Sequence, residues 1–217
     1  MKNSLLGNNI ISVKEHNLQA VLLSLLYEGQ LSRIELAKRI HLSNTTITNI
    51  VGELLEAGLV TESDCSDDDV DGTRPVGRPR TAICLVPEAR FVLGVHVGVG
   101  TFRVALADLR DEILVNQTEK FEIESDTEQV LDQIVAVVRT LIEASGVDPE
   151  RILGVGVGLS GLVDFVTGVN VMAPNLNWRN VPVKAILSSK LGMPVVVDNN
   201  VRCMALGETY FGVGRSL

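Results

Sequence analysis

Residues 32–55 read SRIELAKRIHLSNTTITNIVGELL, and this stretch decides the fold of the first third of the chain. Ser32-Arg33-Ile34-Glu35 has the pattern of a capping box, in which the serine oxygen accepts from the third amide and the glutamate reaches back to the cap amide. It predicts a short helix from Arg33 to about Ile40, then a tight break at His41-Leu42. Ser43 caps the next helix, where Ile47, Ile50, Val51, Leu54 and Leu55 recur at i, i+3, i+4, i+7 and i+8 as one buried stripe. Gly58 ends that helix as a C′ residue. Two short helices across so short a break have the spacing of a helix-turn-helix. Small Ala37 lets the helices approach, and Leu42 fills the turn. Beside the stripe, Ser43, Asn44, Thr45, Thr46, Thr48 and Asn49 form a face of short donors and acceptors at a helix N-terminus. That end enters the major groove in this motif and meets base edges and phosphates. A small helical bundle with a polar surface would carry the same face.

The flanks favour the DNA-binding reading. A helix is expected over residues 14–27 from the spacing of Leu18, Val21, Leu22, Leu25 and Leu26, with Gly29 placed to stop it. After the helix-turn-helix, Leu59–Glu62 reads as a strand and Thr81–Val86 as another. Strand, long loop and strand in this position make a winged helix, expected over residues 1–86. The loop has two characters. Its first part, 62–73, is acidic, with six acids between Glu62 and Asp71 and no base. Its second part carries Arg74, Arg78 and Arg80 among prolines, which hold the backbone extended. Extended Arg78 and Arg80 suit a narrow minor groove or flanking phosphates; a solubilising linker is the alternative. Residues 1–61 are charge-neutral, and the net charge of −8 comes from the loop and the rest of the chain. Phosphate contacts alone would bind weakly, so a dimer is expected on operator DNA.

Pro87 marks the boundary to the remaining residues, 87–217. Phe91–Val97, Thr101–Asp108 and Glu112–Thr118 read as strands, the last two joined by a tight Leu109-Arg110-Asp111 turn. Ser125-Asp126-Thr127-Glu128 reads as a second capping box, opening a helix that buries Val130, Leu131, Ile134, Val135, Val138, Leu141 and Ile142 and ends at Gly146. A strand at Ile152–Gly158, a helix at Val183–Leu191, a strand at Pro194–Val197 and a helix from about Val201 complete a mixed α/β pattern. Gly156-Val157-Gly158-Leu159-Ser160-Gly161 matches GxGxxG, but a dinucleotide site needs a helix directly after it. Leu162–Gly168 reads as strand and turn, so that reading is set aside. With only 5 Phe, 2 Tyr and 1 Trp the core is aliphatic. No apolar stretch is long enough to span a membrane, and the start has no signal-peptide h-region. Cys65, Cys84 and Cys203 show neither CxxC spacing nor a metal pattern, so a cytoplasmic protein with no metal in this chain is expected. His96 is read as a core residue, and Trp178 as a packed residue more readily than a sugar-stacking one.

In this order the motifs resemble the ROK family, which unites sugar-responsive repressors with sugar kinases. The resemblance runs from about Val13 to Leu217. It rests on the winged helix with Gly77-Arg78-Pro79, the strand pair Leu93–Asp108, and Gly156-Val157-Gly158-Leu159-Ser160-Gly161-Leu162-Val163-Asp164. Ala173-Pro174-Asn175-Leu176-Asn177-Trp178 and Val197-Asp198-Asn199-Asn200 through Leu206-Gly207-Glu208 complete it. It implies that 87–217 is the first lobe of an actin-like, hexokinase-like (ribonuclease H-like) sugar domain. It also implies a second lobe beyond Leu217, carrying a zinc motif and further sugar contacts, so the chain is expected to be incomplete. Carried over by position, Gly161, Asn175, Asn199 and Asn200 are the expected sugar contacts. The family's phosphate turn corresponds to His96-Val97-Gly98-Val99-Gly100-Thr101, which lacks its acid and has Val99 in place of a glycine. Asn200 stands where the kinases hold a catalytic aspartate. A carboxamide cannot take a proton from a sugar hydroxyl at neutral pH, and losing a general base costs about 10²–10⁴-fold. The resemblance therefore implies a non-enzymatic repressor of carbohydrate-utilisation genes, released from operator DNA by a sugar or sugar phosphate and acting as a homodimer or higher oligomer. A ROK-type ATP-dependent sugar kinase is the alternative.

Overall fold

The computed structural model describes residues 4–64, 81–212 and 214. The chain divides into two units, residues 1–86 and 87–217.

In the first unit α1 (Ser4–Glu28) is followed by β1 (Gln30–Ser32), α2 (Arg33–Ile40), α3 (Asn44–Glu56), β2 (Val60–Asp64) and β3 (Thr81–Leu85). The capping box at the start of α2 is formed, and His41 takes a left-handed turn (φ 58°) that separates α2 from α3. The three strands form an antiparallel sheet in the order β1-β3-β2, completing a winged helix. Strand β1 has no counterpart in the sequence reading. Three residues are too few to show a period of two, and its pairing with β3 across Leu31↔Ile83 is non-local. The core gathers Val21 and Leu25 of α1, Leu36 and Ala37 of α2, and the α3 stripe Ile47, Ile50, Val51 and Leu54 against Val60, Ile83 and Leu85. Helix α1 begins well before the expected residue 14. Arg78 and Arg80 and the acidic segment beyond Asp64 lie outside the described residues.

The second unit is built on a five-stranded sheet of order β11-β7-β4-β5-β6. Its strands are β4 (Phe91–Val97), β5 (Thr101–Asp108), β6 (Ile113–Lys120), β7 (Ile152–Leu159) and β11 (Val195–Asn199). The β4-β5-β6 meander is antiparallel, while β4, β7 and β11 run parallel. Helices α4 (Thr127–Ser145) and α5 (Val183–Leu191) cover one face. Alternation along β4 sends Phe91, Leu93, Val95 and Val97 into the core beneath them, where they meet Leu131, Ile134 and Val138. A second sheet, β8 (Leu162–Asp164), β9 (Val169–Ala173) and β10 (Trp178–Val181), is antiparallel. Strand β8 ends in a turn in which the Asp164 carboxylate accepts from Thr167 Oγ1 (2.7 Å) and Val166 N (3.0 Å). These bonds, the hydroxyl first, hold the Asp164 carboxyl below its ordinary range. Their contribution is therefore present above that range and is lost as the pH falls through the lowered value.

Two expectations are corrected here, and the reading of Trp178 as a packed residue holds. Ser125 does not cap α4: the helix starts one residue later, Asp126 holds the cap position without a side-chain bond, and Glu128 faces Lys190 at 3.4 Å. His96 is exposed, because it lies on the sheet face opposite α4 and α5. There it helps line a groove of about 640 Å³ between the sheet and α6 (Asn200–Tyr210). Trp178 is 3% exposed and belongs to the core, which removes it from any sugar-stacking role.

Candidate functional site

Each unit presents its own candidate site. In the first, the N-terminal turn of α3 is held by Ser43, whose Oγ accepts from Thr46 N at 3.1 Å. The two hydroxyls also bond each other at 2.8 Å, and Thr46 is half-buried. Thr48 turns its hydroxyl back to Asn44 O at 2.8 Å. Asn44, Thr45 and Asn49 remain on the exposed face with Ser43 and Thr48, and Ile47, Ile50 and Val51 fix the opposite face in the core. The structure thus places Thr46 in the cap, whereas Asn44, Thr45 and Asn49 present carboxamide and hydroxyl groups outward. Ser43→Ala is expected to cost about 1 kcal/mol of stability, the usual worth of a serine cap; thermal unfolding of the first unit measures it.

In the second unit the site is an edge. Val97, Leu159 and Asn199 are paired across the three parallel strands and end them together. Ligands of open α/β sheets bind outside the carboxyl ends of such strands. Three connections converge at this edge: Gly98–Gly100 after β4, Ser160-Gly161 after β7, and Asn199-Asn200 leading into α6. Gly98 N donates to Thr101 O at 2.9 Å and Gly100 takes φ +69°, so the first is a short hairpin loop closed by the Gly98–Thr101 pair, with Val99 exposed at its tip.

Asn199 is occupied at both ends of its carboxamide. Its Oδ1 caps α6, accepting from Val201 N (2.9 Å) and Arg202 N (3.4 Å), and its Nδ2 donates to Gly161 O at 2.7 Å. Asn200 Nδ2 donates to Ser160 Oγ at 3.3 Å. Gly161 sits at φ +99°, and a Cβ there would lie 2.4 Å from Met172 O. Its missing side chain therefore makes room for β9 rather than for a ligand. Gly161, Asn199 and Asn200 are brought together as expected. Asn175 stands exposed on the turn Pro174–Leu176, and among the described residues no hydrogen bond ties it to them.

Two residues of this edge escaped the sequence reading. Ser160 accepts from Asn170 and Asn200 and donates to Val97 O, and Asn170 on β9 meets Ser160 O at 3.0 Å while 0% exposed. A carboxamide inside the apolar run Val169–Ala173 was the available signal. Cys203 on α6 lies nearby, but burial, with the Asp198 carboxylate adding to it, pushes its thiol up. It is protonated at neutral pH and a poor nucleophile. The chemistry on offer is hydrogen bonding by carboxamides, a hydroxyl and backbone, which suits recognition of a polyol.

Comparison with known proteins agrees with both units. Residues 92–216 match the ROK family and residues 16–69 the MarR family. The chain is similar to the xylose repressor of Caldicellulosiruptor bescii, 28% identical over 95% of this chain and 50% of that one. Among solved structures it is similar to a ROK family transcriptional regulator described as a homolog of the Escherichia coli Mlc protein. The TM-score is 0.73 with 26% identity, covering 94% of this chain and 50% of that one. It is also similar to a ROK family glucokinase from Streptomyces griseus solved with glucose and AMPPNP, with a TM-score of 0.52 and 31% identity over 57% of this chain and 38% of that one. The chain spans about half the length of the curated relatives it matches.

Proposed function

Because the chain belongs to the ROK family, we propose that it is a sequence-specific DNA-binding repressor of carbohydrate-utilisation genes, released from its operator by a sugar or sugar phosphate. The observation that carries the reading is the joining of two sites in one chain. One is the capped α3 with its exposed Asn44, Thr45 and Asn49. The other is the strand edge lined by Ser160, Asn199 and Asn200. Arg78 and Arg80 add phosphate or minor-groove contacts, and a homodimer adds the binding free energy of a second half-site to that of one neutral helical region. The name of the xylose-repressor relative favours a pentose as the first effector to try. Sugar and DNA favour different arrangements of the regulator, so each lowers the affinity for the other.

Likeness to a glucokinase raises the enzymatic reading. Against it, Asn200 offers a carboxamide where a base is needed, and Gly98 N in the β4–β5 turn is already bonded to Thr101 O. The test is fluorescence anisotropy on an operator fragment selected from random DNA, titrated with D-xylose, D-glucose and their phosphates. One of these sugars is expected to weaken DNA binding about 5- to 150-fold, the ordinary range of allosteric coupling. Sugar-dependent ATP consumption that disappears in Asn200→Ala would instead establish a kinase.

A further inference from the structure

The Ser160-Gly161 turn is gripped by three carboxamides that come from different elements. Asn170 of β9 holds Ser160 O at 3.0 Å, Asn199 at the end of β11 holds Gly161 O at 2.7 Å, and Asn200 of α6 holds Ser160 Oγ at 3.3 Å. Ser160 N closes the cluster by donating to Val97 O at 3.3 Å. Asn199 and Asn200 are partly exposed, whereas Asn170 is 0% exposed and cannot itself meet a ligand arriving from solvent.

Asn170 also stands out energetically. Its Nδ2 is used, but among the described residues its Oδ1 accepts no hydrogen bond. The amide cannot rotate to exchange the two atoms, since that would set Oδ1 against Ser160 O. A buried acceptor left without a partner destabilises the fold; an apolar side chain of similar size would remove that cost, though it would also take away the donor to Ser160 O. A residue that lowers stability where an apolar one would serve is expected at a site kept for function.

We propose that Asn170 is a positioning residue for sugar binding. By fixing the Ser160 carbonyl from beneath, it holds the Ser160 hydroxyl and the Gly161 peptide in the orientation in which they meet the ligand, so that no ordering of the turn opposes binding. This inference rests on the reading of the strand edge as a sugar site, and it assigns to β9 a part in affinity that the carried-over positions do not include.

The test compares the 217-residue chain with Asn170→Val and Asn170→Ala. Calorimetric titration with D-xylose and D-glucose is paired with thermal unfolding and amide hydrogen exchange at Gly161, whose nitrogen shares a peptide with Ser160 O. For Asn170→Val we expect sugar Kd to rise about tenfold, the equivalent of one lost hydrogen bond, with Tm close to that of the unsubstituted chain, because loss of the bond to Ser160 O offsets removal of the unpartnered Oδ1. Gly161 exchange should accelerate while exchange in β4 stays unchanged. Asn170→Ala leaves a cavity, so its Tm should fall, but its Kd and Gly161 exchange should move as in Asn170→Val. A folded variant with Kd within twofold of the unsubstituted chain overturns the positioning role and leaves the sugar reading standing. Weaker binding that follows Tm in both variants, with no local change in exchange, also overturns it. No binding of either sugar by the unsubstituted chain overturns the sugar reading and this inference with it.

Discussion

Gly161→Ala is expected to lower the stability of the second unit by about 2–6 kcal/mol. The φ of +99° is one that side chains other than glycine rarely adopt, and holding a residue there costs about 1–3 kcal/mol. The added Cβ would also lie 2.4 Å from Met172 O and 2.6 Å from Ala173 Cβ, so β9 has to move away. Overpacking of this kind costs about another 1–3 kcal/mol. Against a typical domain stability of about 5–15 kcal/mol the loss is large. Trp178 makes it measurable, since it is the one tryptophan of the chain and is buried in the core of this unit. Urea unfolding followed by its fluorescence should show a clear fall in midpoint. Gly94→Ala is the control, because a Cβ at Gly94 meets nothing within 4 Å. Equal midpoints for the two variants would show that the turn and β9 are not in close contact. In the proposed function the same substitution should also remove sugar binding, because it breaks the turn that Asn170, Asn199 and Asn200 grip.

The second large effect is expected on DNA. Asn49→Ala should weaken binding to a selected operator by about 1–3 kcal/mol, the discrimination carried by one good base contact, and should relax preference at a single base pair. Asn49 is exposed on α3 while Ile50 beside it is in the core, so the fold of the first unit should be unaffected. The salt dependence should also keep its slope, because no charge is removed. Thr46→Ala is predicted to behave differently. The Thr46 hydroxyl bonds Ser43 Oγ and the capping bond from Thr46 N survives the substitution, so loss of the hydroxyl should appear as a small reduction in stability. Anisotropy titrations at two salt concentrations separate these outcomes. Unchanged affinity and specificity in both Asn49→Ala and Asn44→Ala would show that this face of α3 does not read bases.

The two sites differ in how far the sequence reveals them. The face on α3 is a local object. Its cap, its stripe and its polar residues fall within the contiguous run Ser43–Leu55, and the structure adds that Thr46 turns to the cap and the Thr48 hydroxyl turns back to Asn44 O. The strand edge is assembled from residues far apart. Ser160 and Asn200 are separated by 40 positions and Gly161 and Asn199 by 38. Position by position, resemblance nominated Gly161, Asn199 and Asn200, but it passed over Ser160 and Asn170. The structure adds that the missing side chain of Gly161 makes room for β9.

Periods and caps in the sequence determined the elements whose signals are local: the capping box of α2, the stripe of α3, the alternation of β4, and the left-handed stop at Gly146. Such signals act between residues within a few positions of each other, so they can be read without knowing where the chain goes next. Tertiary structure alone decided β1, which exists because β3 pairs with it. It decided that His96 faces outward, since alternation assigns a residue to a sheet face but not to the covered one. It also decided that three carboxamides meet at Ser160-Gly161, because the parallel strands β4, β7 and β11 end in one row and β9 of the second sheet brings Asn170 to the same turn.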